Sequence, residues 1–221
     1  MKSLFAEFTG TCLLVLVGTG AIVINDEFEG VVTHLGISIA FGGIVTAMIF
    51  AFIKVSGAHL NPGVTLGMVL RKQMPFSQFL PYVAAQCSGA IVASAFLALL
   101  FPNHPHLGAT QISVHWPSGL LVETAMSFLL FLGILWVAFE ARPKTWKIAL
   151  VVGAIVGIEA FFGGPLTGAS MNPARSLGPA LLSGTWNHFW IYLVGPFAGM
   201  TLAAFACPYL RVSSSCCEEG C

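Results

Sequence analysis

Asn61 and Asn172 each stand directly before a proline, in Gly57-Ala58-His59-Leu60-Asn61-Pro62-Gly63 and in Gly168-Ala169-Ser170-Met171-Asn172-Pro173-Ala174. An asparagine side chain carries two amide hydrogens and a carbonyl oxygen, so it can hold a small polar molecule by donating or by accepting. Arg175 and Ser176 follow the second motif at once, and Glu7, Glu123 and Glu159 lie in otherwise apolar segments. We expect no covalent chemistry and no cofactor. His104 and His106 share a Pro-rich stretch, but two His are weak evidence for a metal. We expect loop residues there and no metal site.

The elements that position these groups belong to a very apolar chain. Of 221 residues, 57% are hydrophobic and 8% charged, against roughly 25% charged in soluble domains, and mean hydropathy is +0.88. The class is all-α integral membrane, with room for about six spans of roughly 20 residues. Formal net charge is zero, which gives no reason to expect nucleic acid as a partner. Apolar runs of spanning length cover 4–24, 34–52, 79–100, 120–139, 148–162 and 189–208. The fifth is short unless it begins near Trp146. The first resembles a cleaved leader, but its length, and Glu7 matched by Glu123 in the second half, identify it as a retained helix. Cys12, Cys87 and Cys207 fall in apolar runs and read as small buried hydrophobes; no disulfide is expected.

Six helices with both termini cytoplasmic place Lys2, Lys54, Arg71, Lys72, Arg142, Lys144, Lys147 and Arg211 on one side, as the positive-inside rule requires. A plasma or inner membrane is the expected location. Arg175 alone is left over. Gly-Ala-x-x-Asn-Pro recurs 111 residues apart, at Asn61 and Asn172. Three spans per half make the halves, about 1–101 and 117–210, inverted repeats, whose functional site lies near the midplane at interrupted helices. We expect a single transmembrane domain, 1–212, and a disordered tail, 213–221. In that tail, Cys216, Cys217 and Cys221 are either plain reduced thiols or sites for acyl chains or soft metal ions.

Each Asn is a favoured N-cap and each Pro a favoured first helical residue. Helices over 62–70 and 173–182 would reach roughly 13–15 Å, half of a hydrocarbon core of about 30 Å. Two such half-helices entering from opposite faces meet with their N-termini in the middle. Nonhelical backbone at that depth is tolerated where it lines a water-filled cavity, which points to a pore.

The paired stretches Ser-Gly-Ala-His-Leu-Asn-Pro and Asn-Pro-Ala-Arg-Ser, at this spacing within opposed three-helix halves, resemble the aquaporin or major intrinsic protein family over essentially the whole chain. The resemblance implies six transmembrane helices plus two re-entrant half-helices, and a homotetramer with one pore per subunit. It implies that Asn61 and Asn172, with Pro62 and Pro173, mark the pore centre, and that carbonyls of Gly57, Ala58, His59, Leu60, Gly168, Ser170 and Met171 form an acceptor ladder. Glu7 and Glu123 would brace the loops. The filter would be Phe41, Ala160, Ala169 and Arg175. Selectivity in such pores rests on diameter, lining groups and electrostatic barriers, an account that comes with the resemblance. Water and small uncharged solutes are then the cargo, and the lipid bilayer the surroundings.

Departures leave the solute open. Strict water channels of the family carry His where this chain has Ala160, so the filter reads as wider and less polar, yet it lacks the second aromatic wall of glycerol facilitators. The loop 164–180 is similar to nodulin-like intrinsic proteins of plants and their bacterial relatives, which pass water and small uncharged solutes including metalloid hydroxides. Ser176, Ala180 and the pair Phe189-Trp190 in helix six look like the water-channel group. Gly63 replaces the usual Ala at a cost of about 1 kcal/mol or less. His59 reads as a lining carbonyl whose ring packs behind the loop. Glu159 either braces the loop, reaches outer water or approaches the filter mouth. Arg175 as a structural ion pair is the plainer alternative to a filter. A facilitator for glycerol, ammonia, urea or metalloid acids is the second reading. An ion-coupled transporter, for which Glu159 is the one candidate coupling group, is a third. The short outer loops argue against a membrane adhesion protein.

Overall fold

In the computed structural model residues 1–138 and 144–210 are described, and the regular structure among them is helical. The first half holds α1 (Lys2–Glu27), α2 (Thr33–Ser56), the short α3 (Pro62–Leu70) and α4 (Phe79–Leu100). The second holds α5 (Trp116–Ala138), α6 (Thr145–Thr167), the short α7 (Pro173–Ser183) and α8 (Ile191–Leu210). Five of these helices are long and apolar enough to cross a membrane, and a shorter apolar one covers Ile191–Ala206. The tail with Cys216, Cys217 and Cys221, together with Arg142 and Arg211, lies outside the described residues.

The long helices pack α4–α1–α2–α6–α5–α8, and the short ones are exchanged between halves, α3 against α8 and α7 against α4. Lipid tails are as apolar as leucine, so close van der Waals packing has to hold such helices together. Two glycines permit it at equivalent places. A Cβ on Gly89 of α4 would collide with Phe8 O of α1, and one on Gly199 of α8 with Thr124 O of α5. Large apolar side chains such as Phe5, Leu35, Phe50, Leu99, Leu121 and Phe162 stay exposed on the outside. A hydrocarbon surrounding accounts for that distribution.

Two boundaries differ from the expected ones. Phe189 and Trp190 lie in the turn before α8 rather than in it, with their rings packed on Trp186 and Trp116 at 5.0 and 5.7 Å. The fifth span is not confined to 148–162: it begins at Thr145 and continues through Pro165 to Thr167. A proline inside a helix removes the N–H that would bond the carbonyl four residues earlier, here that of Phe161. His34, at the start of α2, supplies the missing donor, with Nε2 2.7 Å from Phe161 O. Gly164 leaves room for the ring, since a Cβ there would lie 2.9 Å from His34 Cε1. The helix therefore survives its proline.

This repair is testable as a double-mutant cycle. His34→Ala should cost about 1 kcal/mol of stability, an ordinary hydrogen bond, but much less in a Pro165→Ala background, where residue 165 again has an N–H. Unfolding midpoints of the four proteins in detergent measure the coupling; additivity would mean that His34 does not serve Phe161.

Candidate functional site

α2 and α6 end alike, at left-handed glycines, Gly57 (φ 87°) and Gly168 (φ 77°). The chain then leaves the helix at the depth where α3 and α7 begin. Ala58, Leu60, Ala169 and Met171 also have positive φ, a conformation that costs a non-glycine residue on the order of 1–2 kcal/mol. Buried carboxylates hold both segments. Glu7 Oε1 accepts from Ser56 Oγ (2.6 Å) and His59 N (3.0 Å), and Oε2 from Leu60 N (2.7 Å) and Gln86 Nε2 (2.8 Å). Glu123 Oε1 accepts from Thr167 Oγ1 (2.7 Å) and Ser170 N (2.9 Å), and Oε2 from Met171 N (2.9 Å). The carbonyls that close α2 and α6 are taken by tyrosines, Tyr82 Oη on Ser56 O and Tyr192 Oη on Thr167 O.

The two loops then bond each other. Asn61 Nδ2 donates to Met171 O and Asn172 Nδ2 to Leu60 O, both at 2.8 Å. Asn61 Oδ1 accepts from Gly63 N, and Asn172 Oδ1 from Ala174 N and Arg175 N, so each side chain also caps its own helix. An amide nitrogen has two hydrogens; one is used across the junction and one remains. Both asparagines line a cavity of about 100 Å³, enough for a file of several waters, since one water needs about 10–15 Å³ by this measure. Pro62 and Pro173 are the first residues of α3 and α7.

Phe41, Ala160, Ala169 and Arg175 come together on the same cavity. The Arg175 guanidinium sits 5.1 Å from the Phe41 ring centre, and Nη1 donates to Gly108 O at 2.9 Å. Arg175 is 1% exposed and makes no ion pair with a described residue. Its Nε and Nη2 bond no described protein group. Gly57, Ala58, His59, Leu60, Ser170 and Met171 also line the cavity. Gly168 is not among the lining residues; it packs behind, where a Cβ would lie 3.2 Å from Thr110 Cα. The remaining wall is apolar, from Val45 and Ile49 of α2, Leu130 of α5 and Val152 and Val156 of α6.

Glu159 does none of the three things weighed for it. It is 8% exposed, neither carboxylate oxygen bonds a described group, and it does not line the cavity. Helical geometry explains this, because one step of about 100° turns it off the face that Ala160 presents. Gly63 faces Met200, whose Sδ would lie 2.7 Å from an added Cβ, so the larger Met fills the methyl's place. The His59 ring pairs with Thr65 Oγ1 at 3.3 Å and packs on Tyr82 at 5.4 Å, behind the loop. Ser176 is buried, bonded to Thr110 and Ser170. Sequence reasoning gave no role to Ser56, Thr167, Tyr82, Tyr192, Gln86 or Gly108. The hydroxyls before both Gly-Ala pairs were a visible signal; the Gly108 carbonyl left none.

Glu123→Gln should expose how far the second loop depends on its brace. An amide keeps one acceptor oxygen and puts a donor in place of the other, so either Met171 N–H or the Ser170 N–H and Thr167 hydroxyl pair loses its acceptor, and the bonds that remain lose their charge, a loss of about 2–4 kcal/mol. A fall in the unfolding midpoint of purified protein is the expected outcome. An unchanged midpoint would show that the carboxylate is not needed.

Comparison with known proteins agrees with this geometry. The model of the "Major intrinsic protein" family matches residues 1–207. The chain is 38% identical over 214 residues to "Aquaporin NIP1-4" of Oryza sativa subsp. japonica, covering 96% of this chain and 78% of that one. It is 34% identical over 220 residues to "Nodulin-26" of Glycine max, with 99% and 81% covered. The X-ray structure of the aquaglyceroporin from Plasmodium falciparum matches with a TM-score of 0.87 and 26% identity, over 96% of this chain and 99% of that one. Six-helix packing, two exchanged half-helices and these matches lead to one conclusion: the chain belongs to the major intrinsic protein family, whose members are passive membrane channels for water or small solutes and not enzymes.

Proposed function

We propose that this channel conducts water together with small uncharged solutes and excludes ions and protons. The observation that carries the reading is the filter wall: two methyl groups, Ala160 and Ala169, share the cavity with Arg175 and Phe41. An alanine at position 160 leaves space and removes a polar ring, which favours a solute wider than water. The carbonyls of Gly57, Ala58 and His59 accept no hydrogen bond from another described residue, so they are free to receive a permeating donor, while the Asn61 and Asn172 amides supply the complement. Helix N-termini of α3 and α7 converge there, each equivalent to roughly half a positive charge, which repels cations and hydronium. A solute facilitator is the second reading, favoured by the same small residues and by the likeness to an aquaglyceroporin.

The same reading has the protein working as a homotetramer in a plasma or inner membrane with both termini cytoplasmic. The orientation is supported by the charges: Lys2, Lys54, Arg71, Lys72, Lys144 and Lys147 fall at one end of the helices, Asp26, Glu27 and Glu29 at the other. An ion-coupled transporter has less support, because Glu159 does not line the cavity.

Stopped-flow measurements on one proteoliposome preparation, with water, glycerol, urea and arsenite, test the reading. Flux should follow each solute's gradient, and water and glycerol should both pass; concentrative uptake would sink the channel reading. Ala160→His should reduce glycerol flux about tenfold more than water flux, the effect of roughly 1.4 kcal/mol on a barrier. Equal losses would argue against a size filter at residue 160.

A further inference from the structure

The proposed filter, on which this inference rests, needs Arg175 held in one place, and its protein partner is a backbone carbonyl in the loop between α4 and α5. That carbonyl, Gly108 O, belongs to a turn in which Leu107 and Gly108 both have left-handed φ, 50° and 72°. The conformation is unfavourable for leucine. Gly108 is also wedged on α1, where a Cβ would lie 2.8 Å from Thr19 Cβ and 3.0 Å from Thr19 O. A side chain four residues upstream holds the turn. His104 Nδ1 accepts from the backbone N–H of Leu107 at 2.9 Å and of His106 at 3.3 Å. Its Nε2 faces Asp26 Oδ2 of α1 at 3.5 Å, the His104 side chain being 3% exposed and that of Asp26 53%.

We propose that His104 is a positioning residue for the filter arginine: the Nδ1 lone pair fixes the Leu107–Gly108 turn, and through the Gly108 carbonyl it fixes the Arg175 guanidinium. His104 thus has a role that two histidines in a Pro-rich loop did not suggest. Because Nδ1 accepts twice, the ring carries its proton on Nε2, toward Asp26. A guanidinium no longer held by Gly108 swings into the lumen and obstructs the larger solute first.

The test is the ratio of glycerol to water permeability in proteoliposomes, in which the amount of folded channel cancels. His104→Leu keeps bulk and removes the acceptor. His104→Asn places Oδ1 where Nδ1 stood and accepts the same two N–H groups. His104→Leu should lower the ratio about fivefold, the scale of one lost hydrogen bond, and His104→Asn should restore it. A wild-type ratio in His104→Leu, or a ratio in His104→Asn as low as that of His104→Leu, would overturn the proposal. Should His104→Leu not fold, His104→Gln, whose longer side chain carries its acceptor away from the Leu107 N–H, replaces it: a ratio equal to that of His104→Asn would overturn the proposal. Wild-type vesicles that pass neither water nor glycerol would instead defeat the functional reading itself.

Discussion

Everything in this fold depends on an exchange of hydrogen bonds at the centre of the molecule. Each half contributes a segment that is not helical, at a depth where no bulk water can satisfy its backbone. Neither half can repair that alone. Asn61 bonds the last carbonyl of the second loop and Asn172 the last carbonyl of the first, so each loop is completed by the other. The exchange of α3 and α7 between the halves is the same dependence at the scale of helices. An unsatisfied polar group in hydrocarbon costs several kcal/mol, which makes this reciprocal bonding a condition for the helices to assemble at all.

The carboxylates extend that logic outward. Burying a charge costs several kcal/mol, and charged hydrogen bonds return about 1.5–3 kcal/mol each. Glu7 with four bonds and Glu123 with three therefore come near balance. Their contribution is geometric: they hold the left-handed residues 58, 60, 169 and 171 in place, and so present one polar stripe along an otherwise apolar cavity. In the proposed reading a solute meets donors and acceptors on one side and hydrocarbon on the other. Passage needs little desolvation, and binding stays weak enough for release.

The architecture was legible because its signals are local. Asn-Pro caps and interrupted apolar runs follow from short-range chemistry, and the spacing of 111 residues and the segregation of Lys and Arg are read by simple counting along the chain. Helix ends were less legible. Pro165 argues for an early stop to α6, and the residue that rescues it, His34, bonds the carbonyl of Phe161, 127 positions away. Glu159 was open to three readings, and its register turns it off the cavity face. The hold on Arg175 left no trace either, since Gly108 acts through a carbonyl that every residue possesses. His104 could be noticed as a type but not as a partner. What the sequence hides here are contacts made by backbone atoms and bonds that join distant segments.

The central claim is that a cross-bonded, electropositive junction passes neutral molecules and rejects charged ones. The most direct measurement is osmotic water permeability and proton flux on the same vesicles at rising protein density. The account predicts water permeability that climbs with protein while proton flux stays at the level of protein-free lipid. Proton flux that rises in step with water would contradict it.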